Sequence, residues 1–140
     1  TRMKTFLQYF NESFEIGLVE QIKIPELQQT IPAKIDSGND AYNVLHGENI
    51  QYNGNTVKFT TINGKTIKKQ VKDKININVG AGNNEERPVV LFDIIFGGKQ
   101  FKNVPFSIGN RSDNQYPILI GMPFIAKIGA LINVKKKNTL

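Results

Sequence analysis

Short runs of β-branched and aromatic residues, separated by turn residues, recur along the chain from Glu15 onward. Many of these runs alternate apolar with polar residues, which is typical of strands that bury one face. The clearest are EIGLVEQIKI, IPAKID, NTVKFTTI, KTIKKQV, KININ, RPVVLFDIIF, KQFKNVPFSI, YPILI and ALINV. The segment from Met122 to Gly129 predicts a short helix instead, because Pro123 suits a first helical turn and Gly129 a C-terminal cap. The pattern therefore predicts an all-β fold with one short helix near the C-terminal end.

Glycine-containing dipeptides predict where the strands reverse direction. Asn53-Gly54 and Asn63-Gly64 suit type I′ hairpin turns, in which both central residues have positive φ, and Gly97-Gly98 suits another tight hairpin. Residues 50 to 71 are therefore predicted to form a three-stranded meander. The polar, glycine-rich segment from Gly80 to Glu86 predicts a surface loop.

Length and composition are those of one globular domain. The chain has 140 residues, of which 39% are hydrophobic and 21% charged. We expect a single domain over residues 15 to 140, preceded by an N-terminal extension over residues 1 to 14. No apolar run approaches the roughly 20 residues of a membrane helix, and the first residues lack the apolar centre of a secretory signal. We therefore expect no membrane association and a cytoplasmic location, with export and loss of a signal as the alternative.

The formal net charge of +6 would attract an acidic partner, whether nucleic acid, anionic lipid or acidic peptide. Lysines cluster between residues 65 and 74 and again at residues 135 to 137. Neither cluster alternates with aromatic residues in the manner of RNA-binding sheets, so we interpret both as solvated surfaces. The sequence favours no nucleic-acid partner, and an acidic peptide suits the charge equally well.

One segment, IPAKIDSGND, places a carboxylate at the end of an extended run. Asp36 is followed by Ser37 and Gly38, a combination that is also common in ordinary turns. About 80 residues later, YPILIGMPFIAKIGALINV joins an apolar strand to a glycine, a short helix and another strand. The occurrence of both segments in one chain says more about its family than either segment alone.

The two segments together resemble the retropepsins, a family of aspartic proteases. In that family an apolar strand precedes the catalytic Asp-Thr/Ser-Gly, and a later hydrophobic-hydrophobic-Gly segment packs beside the active-site loop. Asp36-Ser37-Gly38 is similar to the first element, and Leu119-Ile120-Gly121 to the second. The resemblance implies a retropepsin-like (acid protease) closed barrel, with Leu119, Ile120 and Gly121 supporting the loop of Asp36.

A closer similarity is to the bacterial retropepsin-like proteins labelled ATP-dependent zinc proteases, which occur near glutamate ligases that modify ribosomes. It covers GLVEQIKIPEL, IPAKIDSGNDAYNVLHG, NEERPVVLFDIIFGGKQF and IGNRSDNQYPILIG, in this order. The order and spacing of four segments are harder to obtain by chance than any one of them. The neighbouring ligases make a glutamate-rich peptide an attractive substrate.

Peptide hydrolysis by carboxylates needs two of them, one to take a proton from water and one to polarise the substrate carbonyl. Two facing carboxylates share a proton, since like charges at short range cannot both ionise. This chain has a single Asp-Ser/Thr-Gly, so a homodimer is predicted to bring two copies of Asp36 together. The resemblance further implies that Ser37 forms a hydrogen bond across the twofold axis and that Gly38 leaves room for the substrate backbone. An extended peptide would bind beneath a covering hairpin, for which residues 50 to 71 are the best candidate, although a plain hairpin fits equally well.

The chain also departs from the pattern of these families. Residues 39 to 42 and Met122 differ from the residues that the zinc-protease-like members carry after the two glycines. We predict substrate contacts for Asn39 and Asp40. For Asp40 the resemblance implies this role, because in retropepsins an acid two residues beyond the motif glycine contacts the substrate backbone and pairs with an arginine after the second glycine. That arginine is missing here, so Asp40 either pairs with Arg111 or Arg87 or faces solvent.

Metal and nucleotide sites find little support. The chain has no cysteine and only His46 as a nitrogen ligand, for which a turn or a partly buried polar role is the better interpretation. No phosphate-binding loop pattern occurs. The sequence therefore predicts an aspartic endopeptidase without metal or cofactor, and a non-catalytic peptide-binding module as the alternative.

Overall fold

The computed structural model describes residues 14 to 138, so nearly all of the predicted extension over residues 1 to 14 lies outside it. Twelve strands, one short 3-10 helix (Pro25–Leu27) and one α-helix, α1 (Met122–Ile128), make up this part of the chain. The strands are β1 (Phe14–Ile16), β2 (Val19–Ile24), β3 (Gln29–Ile35), β4 (Asn43–His46), β5 (Glu48–Asn53), β6 (Thr56–Thr60), β7 (Thr66–Gln70), β8 (Asp73–Gly80), β9 (Asn83–Phe96), β10 (Lys99–Gly109), β11 (Ile118–Ile120) and β12 (Ala130–Ile132). No helix in this range is long and apolar enough to cross a membrane.

Six strands close into a barrel. They are hydrogen-bonded in the order β10, β4, β11, β3, β2 and β9, and β9 pairs again with β10 to complete the ring. β8 pairs with the first part of β9 and leaves the ring. The predicted closed barrel with one short helix is confirmed.

The barrel interior is filled by branched aliphatic and phenylalanine side chains. In β2 the side chains of Ile22 and Ile24 are buried while Lys23 between them is exposed, as a period of two residues requires. Phe92 and Phe106 meet edge to face, with ring centroids 6.1 Å apart. Burial of each such side chain stabilises the fold by about 1.5–3 kcal/mol.

A second sheet of three strands, β5, β6 and β7, forms the meander predicted for residues 50 to 71. Val57 and Phe59 of β6 are fully buried against the barrel. Lys69 of β7 lies 4.3 Å from the centre of the Phe92 ring and 2.6 Å from a carboxylate oxygen of Glu26. The sheet is therefore fixed to the barrel along its inner face.

The hairpin turns follow the prediction in part. Gly97 and Gly98 both have positive φ and join β9 to β10 as predicted. The type I′ turn predicted at Asn53-Gly54 is wrong, because the two-residue turn starts at Gly54 and only that residue has positive φ. The two-residue turn at Asn63-Gly64 is also wrong, because Thr60 pairs with Thr66 and leaves a five-residue loop.

The surface loop predicted from Gly80 to Glu86 is mostly strand. β8 and β9 continue to pair up to Gly80 and Asn83, and the turn contains only Ala81 and Gly82. Polar residues can form strands here because the hairpin projects beyond the barrel and both of its faces are largely exposed.

The run predicted as one strand from Glu15 to Ile24 divides into β1 and β2. Between them the Leu18 N–H donates to the Lys136 carbonyl at 2.8 Å, and a Cβ on Gly17 would overlap the same carbonyl. β1 then pairs in parallel with β12, so the C-terminal segment separates two strands that the sequence pattern joins.

Candidate active site

Asp36 lies immediately after β3, at the rim of the barrel, and is half-buried. Its N–H donates to the Ile120 carbonyl at 2.9 Å, and its Oδ1 accepts from the Gly38 N–H at 2.9 Å. No hydrogen bond within residues 14 to 138 reaches its Oδ2. One carboxylate oxygen is therefore held by the loop while the other is available to a second molecule.

Ser37 and Gly38 are both exposed at this rim. The Ser37 hydroxyl makes no hydrogen bond within the described part of the chain. A Cβ placed on Gly38 would meet only Asp36 Oδ1, at an ordinary contact distance of 3.4 Å. Any requirement for glycine at position 38 must therefore come from a substrate or a second subunit.

Asn39 closes the loop on itself. Its Oδ1 accepts from the Ala41 N–H at 2.9 Å and its Nδ2 donates to the Tyr42 carbonyl at 3.2 Å. Both ends of the amide are thus engaged within the loop, and the substrate contact predicted for Asn39 stays a prediction.

Asp40 is exposed and makes no ion pair with any described residue. Of the two alternatives open for this acid, pairing with Arg87 or Arg111 and facing solvent, the structure has the second. A substrate contact through Asp40 also stays a prediction.

Leu119, Ile120 and Gly121 lie beside the loop of Asp36. β11 pairs in parallel with the end of β3, so that Ile120 is opposite Ile35, one residue before Asp36. The Met122 N–H, just beyond Gly121, donates to the Asn39 carbonyl at 2.7 Å. A Cβ on Gly121 would lie 2.7 Å from the Ala41 carbonyl oxygen, so the loop can pack this closely only against glycine.

Asn43 is a residue of the site that the sequence did not single out. It is 3% exposed, accepts from the Gly121 N–H at 2.9 Å, and donates to the Pro105 carbonyl at 3.2 Å. It therefore joins β4 to β11 and β10 directly beneath the loop. The only signal in the sequence was a polar residue beside the short apolar run of Val44 and Leu45.

Arg111 lies within electrostatic reach of Asp36. Burial lowers the pKa of Arg111 from its usual value, the charge of Arg87 lowers it further, and the charge of Asp36 raises it. Its Nε donates to the Tyr116 carbonyl at 2.9 Å, and no described carboxylate forms a salt bridge with its guanidinium. Arg87, in contrast, is neutralised by Glu85 at 2.9 Å. Arg111 thus adds a positive charge within electrostatic range of Asp36 and has no salt-bridge partner among the described residues.

His46 holds the segment that carries Arg111. It is a buried residue of β4, and its Nδ1 accepts from the Arg111 N–H at 2.9 Å. With Nδ1 as an acceptor, the neutral ring carries its proton on Nε2, which lies 3.5 Å from Glu48. Within residues 14 to 138, no three His, Cys, Asp or Glu side chains converge as a metal site would require.

The predicted lid at residues 50 to 71 is less suited to cover a substrate than the hairpin of β8 and β9. The five-residue tip of the β6–β7 hairpin is closed by its own hydrogen bonds, including Thr61 N–H to the Lys65 carbonyl at 2.8 Å, and its sheet packs on the barrel. For residues 50 to 71 the plain hairpin is therefore the better description.

The β8–β9 hairpin projects freely and is tied at its base to the segment after Asp36. The Tyr42 hydroxyl donates to Asp73 Oδ2 at 3.0 Å, and this hydrogen bond raises the pKa of Tyr42. Val79, near the tip, is 54% exposed. The hairpin therefore stands beside the loop of Asp36 at its base and is largely exposed toward its tip.

The chain is similar to a known family and to a solved structure. The model of the RimB-like family, described as retropepsin-like aspartic endopeptidase RimB, matches residues 16–139. A solved structure of a protein of unknown function (DUF785) from Legionella pneumophila subsp. pneumophila str. Philadelphia 1 superposes with a TM-score of 0.74 at 25% sequence identity, covering 90% of this chain and 97% of that one. No curated protein matches the chain. The similarity to proteins labelled as zinc proteases stays a prediction.

Proposed function

Because the chain belongs to the RimB-like family of retropepsin-like aspartic endopeptidases, we propose that it hydrolyses peptide bonds as a homodimer with one Asp36 from each subunit. The observation that carries this proposal is the half-exposed Asp36 at the barrel rim, with its Oδ2 unpartnered within residues 14 to 138. The exposed Ser37 hydroxyl beside it supports a self-complementary contact across a twofold axis.

The two carboxyl groups would share one proton, since facing like charges do not ionise together. The ionised Asp36 takes a proton from a water molecule, whose oxygen attacks the scissile carbonyl carbon, while the protonated Asp36 donates to the carbonyl oxygen. The tetrahedral diol then breaks at the C–N bond, and the amine leaves with a proton from the carboxyl that had received it from water. The other, now ionised Asp36 takes a proton from one hydroxyl of the diol, which leaves a carboxylic acid product and restores the pair with its one shared proton. Each subunit therefore supplies half of the acid-base chemistry.

The substrate is proposed to be an extended, acidic peptide. Main-chain hydrogen bonds to the β8–β9 hairpin and to the loop after Asp36 would hold it in register. Arg111 favours a substrate carboxylate near the scissile bond, because its charge lies within electrostatic range of Asp36 and forms no salt bridge with a described residue. Its second role is to offset the repulsion between an acidic substrate and the catalytic pair.

The test compares cleavage of a glutamate-rich peptide by the wild-type protein and by Asp36→Asn. We expect Asp36→Asn to lower kcat by at least about a thousandfold, because it removes the acid-base pair. Asp93→Asn is the matched control: Asp93 is exposed on β9, and its hydrogen bond from the Asn103 N–H at 2.9 Å is one that asparagine keeps. In the same assay, Arg111→Gln should raise KM for the acidic peptide more than for a neutral one.

Peptide affinity without turnover in both wild type and Asp36→Asn would reject the peptidase and select a peptide-binding module. Cleavage retained by Asp36→Asn would place the catalytic group elsewhere.

A further inference from the structure

A largely apolar groove of about 730 Å³ lies beside the loop of Asp36 but does not include Asp36 itself. Four elements meet around it: β8, the segment from Asp40 to Asn43, β10 and α1. Ile75 and Ile77 of β8 face Phe101 of β10 and the helix residues Phe124 and Ile128 across it. A groove of this size and character is typical of a binding site.

The backbone of β8 forms one wall of the groove. Three consecutive residues, Ile75, Asn76 and Ile77, line it, although neighbouring side chains of a strand point to opposite faces. The edge of the strand therefore faces the groove. That edge is unpaired within the described chain, because β8 is the last strand of its sheet and pairs only with β9. A free strand edge next to apolar pockets is the arrangement that binds an extended peptide by strand addition.

The charges of the groove favour an acidic residue in the bound segment. Lys102 and Lys127 line it, and neither makes an ion pair with any residue in the described range. Asp40 is the single acid in the lining. The groove therefore carries a net positive charge at the border of an apolar floor, which complements an apolar side chain flanked by an acidic one.

The groove is also continuous with the candidate active site. Asp40 belongs both to the groove and to the loop of Asp36, and four residues of extended chain span at most about 14 Å. A polypeptide bound at Asp36 would reach the groove after a few residues. This continuity favours, as the occupant of the groove, a segment of the polypeptide bound at Asp36 over a separate small molecule.

We propose that the groove is a second recognition site for the substrate polypeptide, which binds a bulky apolar side chain next to an acidic residue, away from the bond that is cut. The site rests on the proposed function, because its occupant is the substrate of that function. It adds a requirement that an acidic run alone would not satisfy: an apolar anchor within the same extended segment.

The test measures peptide binding to Asp36→Asn by fluorescence anisotropy, so that cleavage does not interfere. One labelled peptide carries a phenylalanine beside a run of glutamates, and the other has serine in its place. We expect the phenylalanine peptide to bind at least about tenfold more tightly, because the groove buries its ring. Ile77→Thr should reduce this ratio to about twofold or less, because Ile77 forms part of the apolar lining of the groove. Lys127→Glu should instead weaken the binding of both peptides, because both carry the same run of glutamates.

Lys135→Glu is the matched control for Lys127→Glu, because Lys135 is also an exposed lysine but lies outside the groove, and it should leave both affinities nearly unchanged. Equal binding of the two peptides, a ratio insensitive to Ile77→Thr, or equal losses of affinity in Lys127→Glu and Lys135→Glu would overturn the groove proposal. Cleavage by the wild type is measured separately. Tight, groove-dependent binding without cleavage would reject the peptidase and leave the groove in place.

Discussion

At the scale of single residues, two glycines of the candidate site have different surroundings. A Cβ on Gly121 would lie 2.7 Å from the backbone oxygen of Ala41, and backbone cannot rotate away as a side chain can. A Cβ on Gly38 would make only an ordinary contact with the Asp36 carboxylate. Gly121 is thus required by the fold of the chain itself, whereas Gly38 is required only if another molecule approaches.

We predict that Gly121→Ala lowers the free energy of unfolding by about 1–3 kcal/mol, because the loop after Asp36 must shift to accommodate the methyl group. Gly38→Ala should change that free energy by less than about 1 kcal/mol and still reduce peptide cleavage. Chemical denaturation and the cleavage assay measure the two effects. Equal losses of stability in both variants would contradict this distinction.

At the scale of elements, the β8–β9 hairpin is connected to the site chiefly at its base. The Tyr42 hydroxyl reaches Asp73, the first residue of β8, while the strands beyond it pair only with each other. Lys74 adds a contact with the neighbouring sheet, since its ammonium lies 4.4 Å from the centre of the Tyr52 ring. The base of the hairpin is therefore fixed to its neighbours, whereas the residues near its tip are largely exposed.

Tyr42→Phe should loosen this base. Loss of one partly solvated hydrogen bond is expected to speed amide hydrogen exchange in β8 by about twofold to tenfold. Tyr116→Phe is the control, because the Tyr116 hydroxyl makes no hydrogen bond within the described chain. Asp73→Asn provides a second measurement: since the bond to Asp73 is the main cause of the raised pKa of Tyr42, that pKa should fall toward its ordinary value. An unchanged exchange rate and an unchanged pKa would rule out the connection.

At the scale of the whole molecule, the chain carries one Asp-Ser-Gly, and within residues 14 to 138 Asp36 is the single candidate catalytic carboxylate at the barrel rim. The described barrel has no second loop of the same kind, because β11 continues through Gly121 into α1 without an acid. Under the proposed mechanism, the activity therefore belongs to the dimer and depends on protein concentration.

We predict that excess Asp36→Asn protein inhibits the wild type by forming mixed dimers. With a ninefold excess of the variant and random pairing, activity per wild-type subunit should fall about tenfold. The same excess of Asp93→Asn should not inhibit. Activity that is proportional to wild-type concentration, whatever the amount of Asp36→Asn, would show that a single chain is sufficient.

The sequence by itself determined those features that depend on neighbouring residues. Alternation in β2, the apolar run of β9, the positive φ of Gly97 and Gly98, and the cap at Gly129 are all local preferences. They were sufficient for the all-β class, the meander and the position of α1. The turn that ends β3 at Asp36 also follows from local signals, since Asp, Ser and Gly favour such turns.

Only the tertiary structure decided which of these parts meet. Arg111 lies near Asp36, and Asn43 accepts from Gly121, because barrel closure brings together residues about 75 positions apart. The polar segment after Gly80 became strand because a partner strand was available to pair with its backbone, which no local pattern reveals. Periodicity is a property of adjacent residues, whereas contact between distant side chains depends on register and on the closure of the whole sheet.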